Sequence, residues 1–492
     1  MKQIMTVMFA AVLFPLVVGM TLNLPAARAE RTTLTGGPPA ASAPPGERWA
    51  RPDEGYVIKN VNVIVMTAGN EIIRNADVVV RGDKIISING PAPEDAKIID
   101  GTGKWLIPGL IDMHVHNLSD ANIGRSYPTR ALNISIDTQD FMLLYVANGV
   151  TTAFELSGRV EHFGQRTQIA KGEVIGPRIA LAFLIDGGDS GNAANTPSDG
   201  RQSVRLARAQ GYEFIKVYSN LDEETFAAII DEADKQGMKV VGHIPTAFKA
   251  HTEDAFAPHL GLVAHAEEFA KQTEVFTEAE ARRFAAIAKA NGAWVIPNLS
   301  NLVRIAAQAR SLDAVQDLPS FQYVHPLMQS KWLTANQYNK GSNPRRIAYY
   351  DQLVAFHRQL ALAFRDAGVP MLAGTDAGTS GVVWGFSLHD ELELLVDAGL
   401  TPVEALRAAT IQPATWLEIE DRIGSVEAGK FADLVLLDAN PLTDISNTRK
   451  IAGVFFDGRW LSRDGSDAML AELAIKNARP ENRLEWNKLA DY

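Results

Sequence analysis

"PGLIDMHVHN" runs from Pro108 to Asn117 and places two histidines, His114 and His116, one residue apart at the end of an apolar run. In a strand, residues i and i+2 face the same side, so these imidazoles point together while Val115 faces away. At the C-terminal end of an inward-facing barrel strand that position is the catalytic mouth, and two convergent neutral imidazoles are half of a divalent metal site. His-x-His alone is a weak signal, and a packed or solvent-facing pair is the competing reading.

Outward from this stretch, short apolar runs alternate with amphipathic helices. Eight candidate strands are "LIDMHVH" (110–116), "VTTAFEL" (150–156), "RIALAFLI" (178–185), "FIKVYS" (214–219), "KVVGHI" (239–244), "LVAHAEE" (262–268), "AWVIPNL" (293–299) and "MLAGTDA" (371–377). In "LDEETFAAIIDEADKQG" (221–237), Phe226, Ile229, Ile230 and Ala233 make one helical stripe that Gly237 ends. Eight β-then-α units predict a closed (β/α)8 TIM barrel over residues 108–420. Residues 301–350 are too long for a simple crossover and are expected to be a helical insertion placed to cover the barrel mouth.

Alternating runs flank this middle: "YVIKNVNVIVMT" (56–67), "EIIRNADVVVRGDKIISIN" (71–89) and "AKIIDGTGKWLI" (96–107) before it, "KFADLVLLDAN" (430–440) and "IAGVFFDGRWLS" (451–462) after it. They predict a small β-sandwich domain built from both chain ends, its parts being 55–107 and 421–465, with 466–492 as a C-terminal tail. Residues 30–54, rich in Pro, Gly and Ala, read as a flexible linker. Residues 1–29 read as a signal peptide: Lys2, the apolar run Ile4–Met20, then Ala27-Arg28-Ala29 before the cut. An uncleaved N-terminal anchor is the alternative; cleavage implies a periplasmic or secreted protein.

The 492 residues contain no cysteine, so neither disulfides nor thiolate ligands are available, and the core must hold the fold. A net charge of -11 leaves no basic footprint for nucleic acid or anionic membrane. No second apolar run is long enough to span a bilayer. Gly-x-Ser-x-Gly, Gly-x-x-x-x-Gly-Lys and His-Glu-x-x-His arrangements in the required contexts are absent, which lowers serine hydrolases, nucleotide phosphate binders and helix-borne zinc proteases.

Other predicted strands also end in chemistry. Lys216 lies within "FIKVYS", His243 closes "KVVGH", His265 follows "LVA" and Asp376 follows "MLAGT". "PGLIDMHVH", Lys216, His243, His265 and "AGTDAG", in that order and with the ending "GSVEAGKFADLVLLDANPL" (424–442), resemble the metal-dependent amidohydrolase superfamily. The resemblance covers about residues 55–465 and is nearest the imidazolonepropionase-like and prolidase-like branch, whose members hydrolyse amide, peptide or cyclic amide bonds.

That resemblance implies two divalent metal ions, usually Zn2+. His114, His116 and Asp376 would hold the more buried ion, and His243 and His265 the other. Lys216, carbamylated by carbon dioxide to N6-carboxylysine, would bridge them. Elementary chemistry agrees: an ammonium among ligands would repel cations, whereas a desolvated lysine becomes a neutral amine able to form a carbamate. An ion pair of Lys216 with Glu155 or Asp186 is the bland reading. A hydroxide bridging the metals would attack the carbonyl, with Asp376 as ligand and proton shuttle; its bland role is a helix N-cap. Tyr218, two residues from Lys216, would donate to an oxyanion or else fill the barrel. His389 would orient substrate or be an ordinary helix histidine, and Glu155 and Asp186 would accept from ligating imidazoles or face solvent.

The expected function is a secreted dinuclear hydrolase of a C–N bond in a small-molecule substrate: an amide, a peptide or an N-acyl amino acid. A cyclic amide, lactone or ester hydrolase of the same superfamily, or an inactive periplasmic binding protein on the same scaffold, are the alternatives. A homo-oligomer is compatible with such barrels. No carboxylate clamp is evident; Arg125, Arg159 and Arg304 lie in plausible loops without a firm reason to choose among them.

Overall fold

The structure, a computed structural model, describes residues 55–67, 69, 71–119, 121–123, 132–134, 136–189, 193–256, 260–483 and 485–489. The expected signal peptide, the lead-in to residue 54, and Arg125 lie outside the described residues.

Five strands open the described chain: β1 (Gly55–Ile64), β2 (Ile72–Arg81), β3 (Lys84–Ile88), β4 (Lys97–Asp100) and β5 (Trp105–Pro108). The barrel follows with β6 (Leu110–Val115), a short hairpin of β7 (Ala121–Ile123) and β8 (Leu132–Ile134), and then β9 (Val150–Glu155), β10 (Arg178–Ile185), β11 (Phe214–Val217), β12 (Lys239–Gly242), β13 (Leu262–Ala264) and β14 (Trp294–Ile296). Strands β6 and β9 to β14 are parallel, and each pairs with the next in chain order. Helices that cross between them start on side-chain caps: Thr196 before Pro197–Gln210, Asp222 before Glu223–Lys235 and Thr277 before Glu278–Ala290.

The eighth expected strand, 371–377, forms no ladder. It closes the ring through isolated bridges, Met371 to Val295 of β14 and Ala377 to Val115 of β6. Backbone bonds from Leu372 N to Val295 O (2.9 Å) and His116 N to Ala377 O (2.7 Å) reinforce both seams. Asp376 sits at φ 63°, outside extended geometry, and Gly374 lets the segment approach Ile296, where a Cβ would lie 2.6 Å away. Asp112 fastens the segment by accepting from Thr375 N (3.0 Å) and Thr375 Oγ1 (2.7 Å).

The barrel interior below the mouth is apolar. Met113, Phe154, Phe214, Leu262, Ile296 and Leu372 form one buried cluster with Trp416. Phe214 meets Phe154 edge to face at 4.8 Å and stacks on Trp416 at 5.3 Å, geometries that stabilise aromatic pairs beyond simple burial.

Strands from the far end of the chain, β15 (Leu434–Leu437), β16 (Ile451–Phe456) and β17 (Arg459–Ser462), join the first five in one hydrogen-bonded sheet of order β17-β16-β15-β5-β1-β2-β3, with β4 also on β1. Period-two alternation sets its two faces. Leu434 and Leu436 enter the sheet's own core, while Val435 and Leu437 join the large core shared with the barrel helices. Asp457 and Gly458, both with positive φ (48° and 76°), make the two-residue turn between β16 and β17. The expected tail from 466 begins inside the helix Arg463–Ala478, whose Lys476 pairs with Asp137 (3.0 Å) and Asp140 (2.8 Å).

Between β14 and the closing segment the insertion is helical: Leu299–Arg310, Asp313–Gln316, Pro326–Thr334 and the 24-residue Pro344–Ala367. No helix among the described residues is long and apolar enough to cross a membrane.

Candidate metal centre

The six residues singled out from the sequence lie at or just past the C-terminal ends of the barrel strands. All six line one cavity of about 460 Å³. Convergence of His114 and His116 does not come from alternation alone. Met113 belongs to the barrel-floor cluster and Val115 to the outer core, although they are i and i+2. The β6–β9 register shifts between Asp112 and Val115, so an irregularity turns the strand at this point. Two further sites depend on left-handed backbone: His265 at φ 57° and Asp376 at φ 63°. Each costs about 1–2 kcal/mol for a residue with a Cβ, which the surrounding core must offset.

His114 and His116 meet at Asp376. Asp376 Oδ1 is 3.4 Å from His114 Nε2 and 3.0 Å from His116 Nε2. Asn301 Nδ2 donates to the other oxygen at 2.7 Å. Behind His114, its Nδ1 lies 3.2 Å from Asn298 Oδ1; Asn298 is itself left-handed at φ 52°. Burial drives the His114 imidazole well below its usual pKa, partly opposed by Asp376. His116 differs: burial disfavours its charge, but the Asp376 and Glu155 carboxylates facing it win and lift it to about 9. Burial would raise Asp376, yet His114 and His116 hold it below the ordinary aspartate value.

His243 and His265 form the second group, with Glu268. Glu268 Oε1 is 3.3 Å from His243 Nδ1, 3.4 Å from His265 Nδ1 and 2.7 Å from Lys271 Nζ. Ser219 Oγ also lies 2.7 Å from His243 Nδ1. Burial, with the nearby Lys216 for His243 and with His243 for His265, keeps both imidazoles well below their usual pKa, hence neutral and able to ligate. Burial pushes Glu268 up to about 7 against the pull of Lys271. Glu268 and Lys271 were not foreseen, although His265-x-x-Glu268-x-x-Lys271 has helical spacing.

Between the groups stands Lys216, 1% exposed, its Nζ without a hydrogen-bond partner among the described residues. Burial lowers its pKa to about 8, opposed by Asp376 and Glu268. Neither carboxylate considered as its ion-pair partner is engaged with it. Glu155 accepts from Asn117 N and from Ser157 N (2.7 Å) and lies 3.6 Å from His116 Nδ1. Asp186 accepts from Gly187 N (2.9 Å) and from Asn220 N (2.8 Å), bracing a loop rather than an imidazole.

The other candidates separate. Tyr218 lines the cavity, stacked on His243 at 3.8 Å, and is 38% exposed, so it does not fill the barrel. His389 is buried and bonded to Thr448 Oγ1 at 3.0 Å, away from the cavity lining. Arg159 caps the helix Val160–Ala170, and Arg304 pairs with Asp390 at 2.8 Å; neither lines the cavity. A larger cleft of about 550 Å³ opens beside the strand N-termini, lined by Met238, Trp294 and Trp416 and by no histidine.

These donors suit divalent cations: two buried groups of imidazole and carboxylate in one cavity, with an unpartnered amine between them. A parallel barrel carrying such a mouth defines a class of barrel hydrolases. The chain belongs to the amidohydrolase family, whose model matches residues 105–461. Among relatives, it is 23% identical over 409 residues to an imidazolonepropionase of Thermoplasma volcanium, covering 79% of this chain and 93% of that protein. An adenine deaminase of Clostridium botulinum is 21% identical over 440 residues, 87% of this chain and 60% of that protein. Among solved structures, a Xaa-Pro dipeptidase with bound methionine superposes with a TM-score of 0.63 at 21% identity, covering 83% of this chain and 100% of that one. A bottromycin amidohydrolase gives 0.69 at 23% identity, covering 89% and 95%. The shared fold and the imidazolonepropionase match agree with the branch that the sequence resembles.

Proposed function

We propose that the protein is an exported, dinuclear metal-dependent amidohydrolase that cleaves a C–N bond in a small amide, peptide or N-acyl amino acid. One observation carries this reading: two pairs of imidazoles and the Asp376 carboxylate line a single cavity together with a buried, unpartnered lysine amine. His114, His116 and Asp376 would hold one divalent cation, and His243 and His265 the other. Lys216, as a carbamate, would serve both. Zinc suits the imidazole-rich set. When bound, such cations acidify water to a pKa of about 7 and polarise a carbonyl.

The chain's own residues supply the rest. Asp376 is ionised and held from two sides, so its Oδ1 can take a proton and release it to the leaving nitrogen as the C–N bond breaks. Asn298 orients His114 and Ser219 orients His243 through Nδ1, and the Glu268 carboxylate lies 3.3 and 3.4 Å from Nδ1 of His243 and His265. Tyr218, at the cavity wall, would donate to the oxygen that gains charge. The helical insertion walls the cavity and limits water. The apolar Ile4–Met20 stretch with Ala27-Arg28-Ala29 supports export.

The test is purification with zinc or manganese plus bicarbonate, followed by a panel of dipeptides including X-Pro, N-acyl amino acids and cyclic amides. Turnover of at least one C–N class, lost on chelation and regained with metal, is expected. Turnover confined to esters and lactones, or none across the panel, defeats the reading.

A further inference from the structure

The cavity lining combines the polar metal-centre residues with aromatic and aliphatic side chains. Besides the imidazoles, the insertion contributes Leu302 and Ile305 from the helix Leu299–Arg310, Tyr338 from the connection, and Tyr349, Tyr350 and Leu353 from the helix Pro344–Ala367 to the cavity lining. Tyr349 is 50% exposed, with its ring 5.8 Å from that of Tyr350 and 6.0 Å from that of Phe276, so an aromatic wall stands open at the mouth. Tyr338 lines the same cavity as Asp376 and Tyr350. Rings held on two rotatable bonds give large contact area at low entropic cost.

The charges lining the cavity point the same way. Lys271 faces the cavity, but its Nζ already lies 2.7 Å from Glu268 and 3.4 Å from Glu267. Glu267 also lines the cavity, so an incoming carboxylate would meet a like charge there. The available volume, about 460 Å³, accommodates a substrate with a bulky side chain.

We propose that this wall is a specificity subsite, and that the preferred substrate is an amide or peptide whose scissile bond is flanked by an uncharged aromatic side chain. This rests on the C–N hydrolase reading above. Acidic side chains are ranked below it by the like charge of Glu267.

The holoenzyme, loaded with zinc and bicarbonate, is assayed on two matched series, Ala-Xaa-NH2 and Xaa-Ala-NH2, with Xaa as Phe, Leu, Ala or Asp. In at least one series kcat/KM for Phe should exceed that for Ala by about tenfold or more, with Asp lowest. Tyr349→Ala and Tyr338→Ala should each pull the Phe/Ala ratio toward one, mainly through KM, while Tyr349→Phe, which keeps the ring, should retain it. A Phe/Ala ratio near one in both series, Asp as the best substrate, or ratios unmoved in the Tyr→Ala variants would overturn the subsite. Calorimetry reads the wall even where no bond breaks: N-acetylphenylalaninamide should bind the holoenzyme about tenfold more tightly than N-acetylalaninamide, and Tyr349→Ala should erase the difference. Equal binding overturns this proposal alone, whereas failure of every C–N substrate defeats the reading beneath it.

Discussion

The floor and the mouth of the barrel are built on the same strands and obey opposite rules. In β11, Phe214 packs between Phe154 and Trp416, whereas Lys216, two residues on, is buried without a partner. The floor is apolar and interlocked. The mouth keeps Lys216 Nζ, His265 Nδ1, Glu268 Oε2 and Asp376 Oδ1 buried and without a hydrogen-bond partner among the described residues, and it holds three non-glycine residues, His265, Asn298 and Asp376, in left-handed backbone. Unsatisfied polar atoms and unfavourable dihedrals destabilise a fold. They persist here because the packed floor over-determines the backbone that carries them.

The sharpest way to break this contrast is to compare one residue from each side. Asp376→Asn should lower kcat/KM on the best C–N substrate by about 10³–10⁴-fold and leave the urea midpoint close to that of the parent. Phe214→Ala should do the reverse. It should lose about 3–5 kcal/mol of stability in urea unfolding, while kcat/KM of the folded fraction stays within about twofold. If Phe214→Ala were as inactive as Asp376→Asn at unchanged stability, floor and mouth would not be separable.

A smaller effect tests how the mouth is braced. Glu268→Ala should weaken metal retention against a competing chelator by about 10–100-fold, with Glu268→Gln between it and the parent because an amide oxygen still accepts from Nδ1. Loss of one whole equivalent of metal in both variants would instead make Glu268 a ligand.

The smallest expected change is a pH effect on Lys216. Its folded pKa is lowered to about 8, mainly by burial, so the neutral amine that reacts with carbon dioxide becomes more abundant as pH rises through 8. At constant dissolved carbon dioxide, reactivation of chelator-stripped enzyme should therefore speed up about fivefold from pH 7 to 8 and level off above 9. A rate that is flat with pH, or falls as pH rises, would contradict that environment.

Much of this contrast is legible in the chain. Apolar runs mark seven strands and the closing segment, five of these elements carrying His114, His116, Lys216, His243, His265 or Asp376 near their ends, and the alternating flanks mark the small sheet. Other features depend on neighbours distant in sequence. The run "LVAHAEE" reads as a continuing strand, yet β13 stops at Ala264 and Glu267–Ala270 turns into a helix that brings Glu268 under both imidazoles. Asn298 in "AWVIPNL" is a residue type tolerated in left-handed backbone, but its contact with His114 spans 184 positions and has no local signature. The segment 371–377 has strand composition, but Asp376 turns into left-handed backbone, and the close approach of Gly374 to Ile296 has no signature beyond the glycine itself. The tyrosines of the insertion likewise reach the cavity through helix packing that periodicity does not specify.

The central claim is that the mouth gathers two cations around Lys216. Anomalous diffraction at the zinc edge, from crystals grown with zinc and bicarbonate, tests it most directly. The account predicts two peaks, one among His114, His116 and Asp376 and one beside His243 and His265, with density extending from Lys216 Nζ toward both. A single peak, peaks elsewhere, or an unmodified Lys216 between two bound ions would contradict it.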